Sequence, residues 1–334
     1  MSRAQLTSTV EQNTGGAVSP YVAGKNCIIN GGMDIFQRTS FATFNAYALD
    51  RWYIYGSQNV TVTQSTAKVT PNSQYMMLMT ASATQQIFAY QAIETLNAIY
   101  YAGKTVTLSG YAAGLTTTTN LNMSLSYSTS TDNSVSGTWT GITASSGNPD
   151  LTLSGTVTRW SATYAIPSTA KSLRVLFVNN AANITVGQGI YLGDVQLEVG
   201  SVATPFSRAG GTLSGELAAC QRYYWRVTSP SAGYNEFGLG QCISSSGAQI
   251  TVPFPVTMRI VPTSIDVSST ASNYCLTTAT GGVSSVGTAI IYFAATVQTA
   301  QVVIFGSSGV IAGNATQLLA NATTAAFLGF SAEL

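Results

Sequence analysis

Residues Asn26–Trp52 read NCIINGGMDIFQRTSFATFNAYALDRW, and this run holds most of the chain's informative residues. Cys27, Ile28 and Ile29 predict the start of an apolar strand. Gly31-Gly32 predict a bend or bulge that a side chain would obstruct. Beyond the bend, Met33 and Ile35 alternate with Asp34 and Phe36, the two-residue period of a strand. Gln37-Arg38 end that strand, a polar link follows, and Asp50-Arg51-Trp52 open the next. Only 7% of the chain is charged, yet Asp34, Arg38, Asp50 and Arg51 crowd into this segment. Charges kept so sparingly are paired and placed rather than spread for solubility.

Outward from this stretch, strand patterns recur with turn signals between them. They cover Arg51–Tyr55, Val60–Thr63, Tyr75–Thr80, Gln86–Gln91, Lys104–Ala112, Asn120–Tyr127, Thr158–Ala165, Ser172–Val178 and Gly189–Val199. Leu121, Met123, Leu125 and Tyr127 alternate with Asn122, Ser124 and Ser126, the mark of a half-buried antiparallel strand. Glu94–Tyr100 predicts a short helix closed by Gly103, and Ser128–Pro149 a long polar loop or hairpin. Thr204-Pro205-Phe206 and Gly210-Gly211 mark a boundary, followed by a brief helix over Leu213–Trp225. A second β region follows, with strands over Asn235–Ser244, Ala248–Val256, Thr263–Ser268, Thr288–Thr296, Gln301–Phe305 and Ala325–Phe330.

Composition agrees with an all-β chain. Thr, Ser, Gly, Val and Tyr are abundant and helix-favouring charged residues scarce. A length of 334 residues suits two domains, each able to bury a core. A net charge of +1 gives no electrostatic footprint for nucleic acid or an anionic membrane. The cysteines Cys27, Cys220, Cys242 and Cys275 lack a C-x-x-C spacing and read as buried thiols. Met1–Gly24 has no apolar core of a signal peptide, so synthesis in the cytoplasm is expected. The most apolar run, Ala289–Val297, is far shorter than the ~18 residues of a membrane span. Residues 1–24 are polar and glycine-punctuated and could not fold alone, which predicts an anchoring arm ordered by a partner.

The pattern N-x-I-x-N-G-x-x-x-x-x-Q-R…x-D-R-W resembles the opening of a jelly-roll domain of tailed-phage structural proteins, often described as tail-fibre or carbohydrate-binding-like. Here it is carried by Asn30, Gly31, Gln37, Arg38, Asp50, Arg51 and Trp52. A second block, Gly193–Arg226, resembles the closing strand of that domain and its joint to the next. Asp194, Glu198, Gln221, Arg222 and Tyr223 carry it. Met258-Arg259 and Pro262-Thr263 resemble an M-R-x-x-P-T element of the second domain of such proteins. The resemblance implies an arm (1–24), a jelly roll (25–208) and a C-terminal β domain (209–334). It further implies a virion structural protein, of the tail-fibre or peripheral tail kind, that attaches to host surface polysaccharide. The arm would dock to other virion proteins, and the chain would form a homotrimer. A capsid decoration or head-fibre protein is the alternative within the same class. The low charge favours burial of self-complementary patches, with Thr288–Phe305 and Gly309–Phe330 as the seam and Ala295 and Ala300 in it.

Catalysis is a weaker expectation. With no histidine, a Ser-His-Asp triad, a Cys-His pair and imidazole metal ligation are excluded. A polysaccharide depolymerase would need two carboxylates. Asp194 and Glu198 share a strand face, but four residues put them roughly 13 Å apart, beyond the roughly 5–9.5 Å of either glycosidase geometry. That leaves a partner from another strand, such as Asp50, as the open alternative. The acids read instead as ion-pair partners, with Asp34, Asp50, Asp194 and Glu198 meeting Arg38, Arg51 and Arg208. No cofactor is expected. The resemblance admits a structural calcium, with Asp194 as candidate ligand, although no ligand loop accompanies it. Glycan recognition would fall to exposed aromatics, for which Tyr53, Tyr55, Trp139 and Trp160 are the candidates. In DRWYIY, Trp52 and Ile54 fall on one strand face and the two tyrosines on the other.

Overall fold

The computed structural model describes residues 24–38, 41–43, 45–116, 119–179 and 184–334. The arm expected over residues 1–24 lies, Gly24 excepted, outside them. Contacts divide the chain into two compact units, one reaching Leu217 and taking in Leu334, the other Ala218–Glu333.

In the first unit the chain forms β1 (Phe41–Thr43), β2 (Ala46–Tyr47), β3 (Tyr53–Gly56), β4 (Val60–Ser65), β5 (Met76–Ala81) and β6 (Ile87–Ile93). A helical turn, α1 (Thr95–Ala98), runs into a 3-10 turn at Ile99–Tyr101. Next come β7 (Thr105–Gly114), β8 (Thr119–Ser128), β9 (Thr140–Ile142) and β10 (Asp150–Leu153). β11 (Thr158–Ala165), β12 (Ser172–Val178) and β13 (Gly189–Val199) complete the unit's strands. One sheet has the order β1-β4-β5-β13-β7-β11, and the other β10-β8-β12-β6-β3-β2 with β9 beside β8. From β5 to β8, and again from β11 to β13, each successive strand lies in the opposite sheet. The last strand returns between β5 and β7. That is a jelly roll, and its pairings are antiparallel.

Alternating sequence builds the core. Leu121, Met123 and Leu125 of β8, and Leu173, Val175 and Phe177 of β12, point between the sheets and are buried. Trp52, Ile54, Leu108 and Leu197 join the same cluster. Each such side chain contributes about 1.5–3 kcal/mol by leaving water.

The stretch Asn26–Phe36 departs from its expected form. It makes turns and coil, not a strand. Asn30 and Met33 both sit at φ 58°, so the backbone cannot run extended there. The Asn30 side chain closes the turn, accepting from Ile35 N at 2.9 Å and donating to Ile35 O at 2.8 Å. The segment nevertheless serves as a sheet neighbour. β13 pairs with β5 over Gly189–Leu192 and then bulges between Gly193 and Gln196. Within the bulge Val195 N donates to Gly31 O at 2.9 Å, and beyond it Cys27 N donates to Leu197 O at 3.1 Å. A β-carbon on Gly31 would lie 2.0 Å from Val195 O, which is why the chain needs glycine there. Arg51, expected in the next strand, occupies the turn before β3 at φ 69°.

The helix α2 (Leu213–Gln221) begins in the first unit and ends in the second, which goes on to form β14 (Tyr224–Thr228), β15 (Glu236–Cys242), β16 (Gly247–Pro253), β17 (Ile265–Val267) and β18 (Tyr274–Thr277). β19 (Val283–Ser285), β20 (Ile291–Ala295), β21 (Thr299–Phe305), β22 (Ala315–Ala320) and β23 (Phe327–Ser331) follow. They form a three-stranded sheet, β14-β23-β17, and a seven-stranded one, β19-β18-β22-β15-β16-β21-β20. The helix stops at Gln221, so Tyr224-Trp225 belong to a strand instead. The Tyr274 hydroxyl donates to Phe327 O at 2.6 Å and accepts from Ser268 N at 2.9 Å, tying three segments together. Ala300, placed in the expected seam, is buried in this unit's core. Among the described residues no helix is long and apolar enough to cross a membrane.

Candidate functional site

The outer face of the β10-β8-β12-β6-β3-β2 sheet carries a row of side chains in register across five strands. Tyr47 pairs with Tyr53, Tyr53 with Tyr90, Tyr90 with Leu176, and Leu176 with Ser124. A second row runs beside it, from Tyr55 to Phe88 to Val178 to Asn122. The sequence phase explains this. In β3 and β6, Ile54, Ile87 and Ala89 face the core, which sends Tyr53, Tyr55, Phe88 and Tyr90 outward.

The rings touch. Tyr47 meets Tyr53 edge-on at 5.3 Å, Tyr55 meets Phe88 edge-on at 5.2 Å, and Phe88 stacks on Tyr90 at 6.0 Å. Tyr53 and Tyr90 are 6.4 Å apart. Tyr55 is 43% exposed, while Tyr53, Phe88 and Tyr90 are partly so. Burial, reinforced by neighbouring tyrosines, pushes the Tyr53 and Tyr90 hydroxyls above their ordinary pKa, with Arg174 opposing the shift at Tyr90. Arg174, on β12, lies 4.8 Å from the Tyr90 ring centroid and 5.0 Å from that of Trp139. The loop bearing Trp139 is held by its indole N–H, which donates to Ser134 O at 2.9 Å, and by Arg174 Nη1, which donates to Val135 O at 2.8 Å.

Three expected glycan contacts, Tyr53, Tyr55 and Trp139, thus belong to one face or the loop beside it. Trp160 does not. It is 4% exposed, sits in the jelly-roll core and packs 5.4 Å from Phe177. A strand tryptophan looks the same from either face until the sheet's partner is known. Sequence pattern alone does not single out Tyr47 or Arg174, whereas the phase of Ile87-Phe88-Ala89-Tyr90 carries the signal for Phe88 and Tyr90.

The motif acids and arginines lie elsewhere. Gln37 donates to Asp50 through its backbone N and its side-chain amide, each at 2.6 Å. Arg51 is buried and gives Nη2 to Ala92 O at 2.7 Å. Arg38 lies 5.8 Å from the Tyr47 ring. Trp52 donates its indole N–H to Asn30 O at 3.1 Å. Arg208 pairs with Asp34 at 2.7 Å, and Lys25 lies 3.7 Å from Glu198. Asp194, at φ 48° in the bulge, accepts from Ser73 Oγ at 2.6 Å and Asn72 Nδ2 at 3.1 Å. Glu198 accepts from Gln196 Nε2, Thr204 N and Thr204 Oγ1 at 2.6–2.8 Å. The extra residue of the bulge breaks the simple alternation that put Asp194 and Glu198 on one face. In the second unit, Tyr223 is buried and its carbonyl accepts from Ala332 N, while Arg222 O accepts from Arg259 N. Gln221 ends α2.

Two grooves adjoin the acids. One of about 720 Å³ is lined by Asp34, Asn72, Ser73, Tyr75, Arg208 and Leu213 among others. The other, of about 250 Å³, includes Asp194, Tyr111, Arg159 and Phe206. Burial raises the Glu216 carboxyl above its ordinary value, against the backbone N–H groups of Gly210 and Asn30 that donate to it. No three Asp, Glu, Cys or His side chains gather as a metal site among the described residues.

No protein-family model matches the chain, and no curated protein matches it. Solved structures align with about half of it. A protein from Bacteroides thetaiotaomicron described as sugar-binding is 12% identical with a TM-score of 0.37, covering 52% of this chain and all of its own. The enzymatically active domain of tailspike protein 4 of bacteriophage CBA120 is 16% identical at TM-score 0.37, covering 55% of this chain and 22% of its own. The CBM22-1 xylan-binding domain of Paenibacillus barcinonensis Xyn10C is 11% identical at TM-score 0.35, covering 54% of this chain and 98% of its own. Likenesses this weak assign no function.

Proposed function

We propose that this chain is a non-enzymatic glycan-binding structural protein, and that it serves in a tailed-phage virion as a tail-fibre or peripheral tail subunit. The observation carrying the glycan reading is the registered aromatic row on the outer sheet face. Rings held against one another keep their orientation, so little freedom is lost when a sugar ring covers them. The flanking Ser124 and Asn122 supply polar partners in the same rows. Such a mixture of apolar faces and a few fixed polar groups suits a polyhydroxylated ligand. The non-enzymatic part rests on the acids, whose oxygens already accept from Ser73, Asn72, Gln196 and Thr204. The virion part rests on the two sequence blocks described above.

Affinity electrophoresis of the purified chain in gels containing bacterial surface polysaccharides tests the glycan reading. Retardation is expected, and Tyr55→Ala or Phe88→Ala should each weaken it roughly tenfold, given the 0.5–1.5 kcal/mol of an aromatic contact plus its lost area. Migration unaffected by every polysaccharide would refute the reading.

The homotrimer belongs to the same proposal. Edge strand β20 exposes Ile291 and Phe293, the latter at 62%. An uncharged edge of this kind invites pairing unless another copy covers it. Because Ala300 is core, Ala300→Asp would unfold the unit rather than probe a seam, and Phe293→Asp is the better variant. Sedimentation should give a trimer that Phe293→Asp dissociates; a wild-type monomer at micromolar concentration overturns it.

A further inference from the structure

On the aromatic face one cation, Arg174, has no anion among the described residues. Arg174 is half-buried beside the registered row, with its guanidinium over both Tyr90 and Trp139. Its Nη1 donates to Val135 O. Its Nε is buried without an acceptor, and its Nη2 makes no hydrogen bond to the described residues. No carboxylate among the described residues lies within ion-pair distance of it. Its cross-strand neighbours are Ala92 and Ser126. A guanidinium taken partly out of water carries a desolvation cost that a neighbouring anion normally offsets. Burial indeed lowers the Arg174 pKa, with Tyr90 opposing it. A guanidinium fixed by flanking rings and one carbonyl is also pre-oriented, so a carboxylate could dock on Nη2 with little loss of side-chain freedom.

We infer that the ligand of this face is an acidic glycan whose carboxylate is taken by Arg174, while Tyr53, Tyr55, Phe88 and Tyr90 pack against its sugar rings. The inference rests on the glycan reading of the same face and narrows it to uronate-type polysaccharides. A purely structural Arg174, present only to hold the Trp139 loop, would serve neutral and acidic ligands alike.

The test compares polygalacturonate, alginate and hyaluronate with their carboxyl-reduced forms, using equilibrium binding to the full chain. At least one acidic polymer should bind ten times or more tighter than its reduced counterpart, and the difference should shrink as salt rises. Arg174→Gln should remove the preference, leaving both forms at the weaker affinity. Arg174→Lys should keep a salt-dependent part of it. Tyr55→Ala should weaken both forms together. A thermal transition matching the wild type shows that each variant is folded, and the acidic-to-reduced comparison on the wild type needs no variant. Equal binding of acidic and reduced forms overturns the inference and leaves the glycan reading standing. An Arg174→Gln variant that loses both forms equally also overturns it, because Arg174 then acts only through the loop. Failure of every polymer to bind overturns both.

Discussion

Asn26→Ala is expected to destabilise the jelly-roll unit by about 4–6 kcal/mol, at the upper end of single-substitution effects. The Asn26 amide is buried and uses its whole capacity. It donates to Val195 O at 3.0 Å and Ser207 O at 3.1 Å. It accepts from Ile28 N at 2.9 Å and Leu197 N at 3.0 Å. Alanine would orphan four buried backbone groups, each at about 1–3 kcal/mol before partial relaxation. Asn26→Asp should be nearly as harmful, since it keeps both acceptors yet turns a carboxylate toward two carbonyls. Urea unfolding followed by tryptophan emission reads this directly, with Trp52 and Trp160 buried in this unit. A loss below about 1 kcal/mol would show that the N-terminal segment is not a structural neighbour of β13.

Gly31→Ala is the second large effect. The added methyl would stand 2.0 Å from Val195 O and 3.1 Å from its carbon, a clash that only backbone movement relieves. Movement breaks the 2.9 Å bond from Val195 N to Gly31 O. Overpacking at 1–3 kcal/mol, with one orphaned donor, gives a loss of about 3–5 kcal/mol. Amide hydrogen exchange should show the change at Val195 and Leu197 first, because those two β13 amides donate to Gly31 and Asn26. Unaltered protection there would contradict the account of the bulge. Neither variant should disturb the second unit, whose core is a separate cluster.

Much of the jelly roll was legible from period alone. β11, β12 and β13 occupy the expected spans Thr158–Ala165, Ser172–Val178 and Gly189–Val199, because alternation set by one buried face leaves little freedom of register. The short helix near Glu94 and the glycine requirement at Gly31 were readable for similarly local reasons. Strands without alternation carry no such signal. β18 is buried at three of its four positions and β22 runs through an Ala- and Thr-rich stretch, so neither shows a polar face. β14 follows the helix so closely that its aromatics read as helical.

Some features no local pattern could carry. Asn30 and Met33 reverse a segment that spells a strand, since a left-handed turn is chosen by what its side chain finds to bond. Asp194 leaves the phase of its own strand because one extra residue opposes β7. The sequence determined on its own that this chain is built of β-sheet, where most of its first-unit strands run, and which residues alternate across them. The tertiary structure decided which face of each strand meets the other sheet. That choice put Trp160 in the core and gathered Tyr47, Tyr53, Tyr90 and Arg174 from four strands onto one surface. Strand period is a property of neighbours in the chain, whereas a binding face is made by register between strands far apart in it.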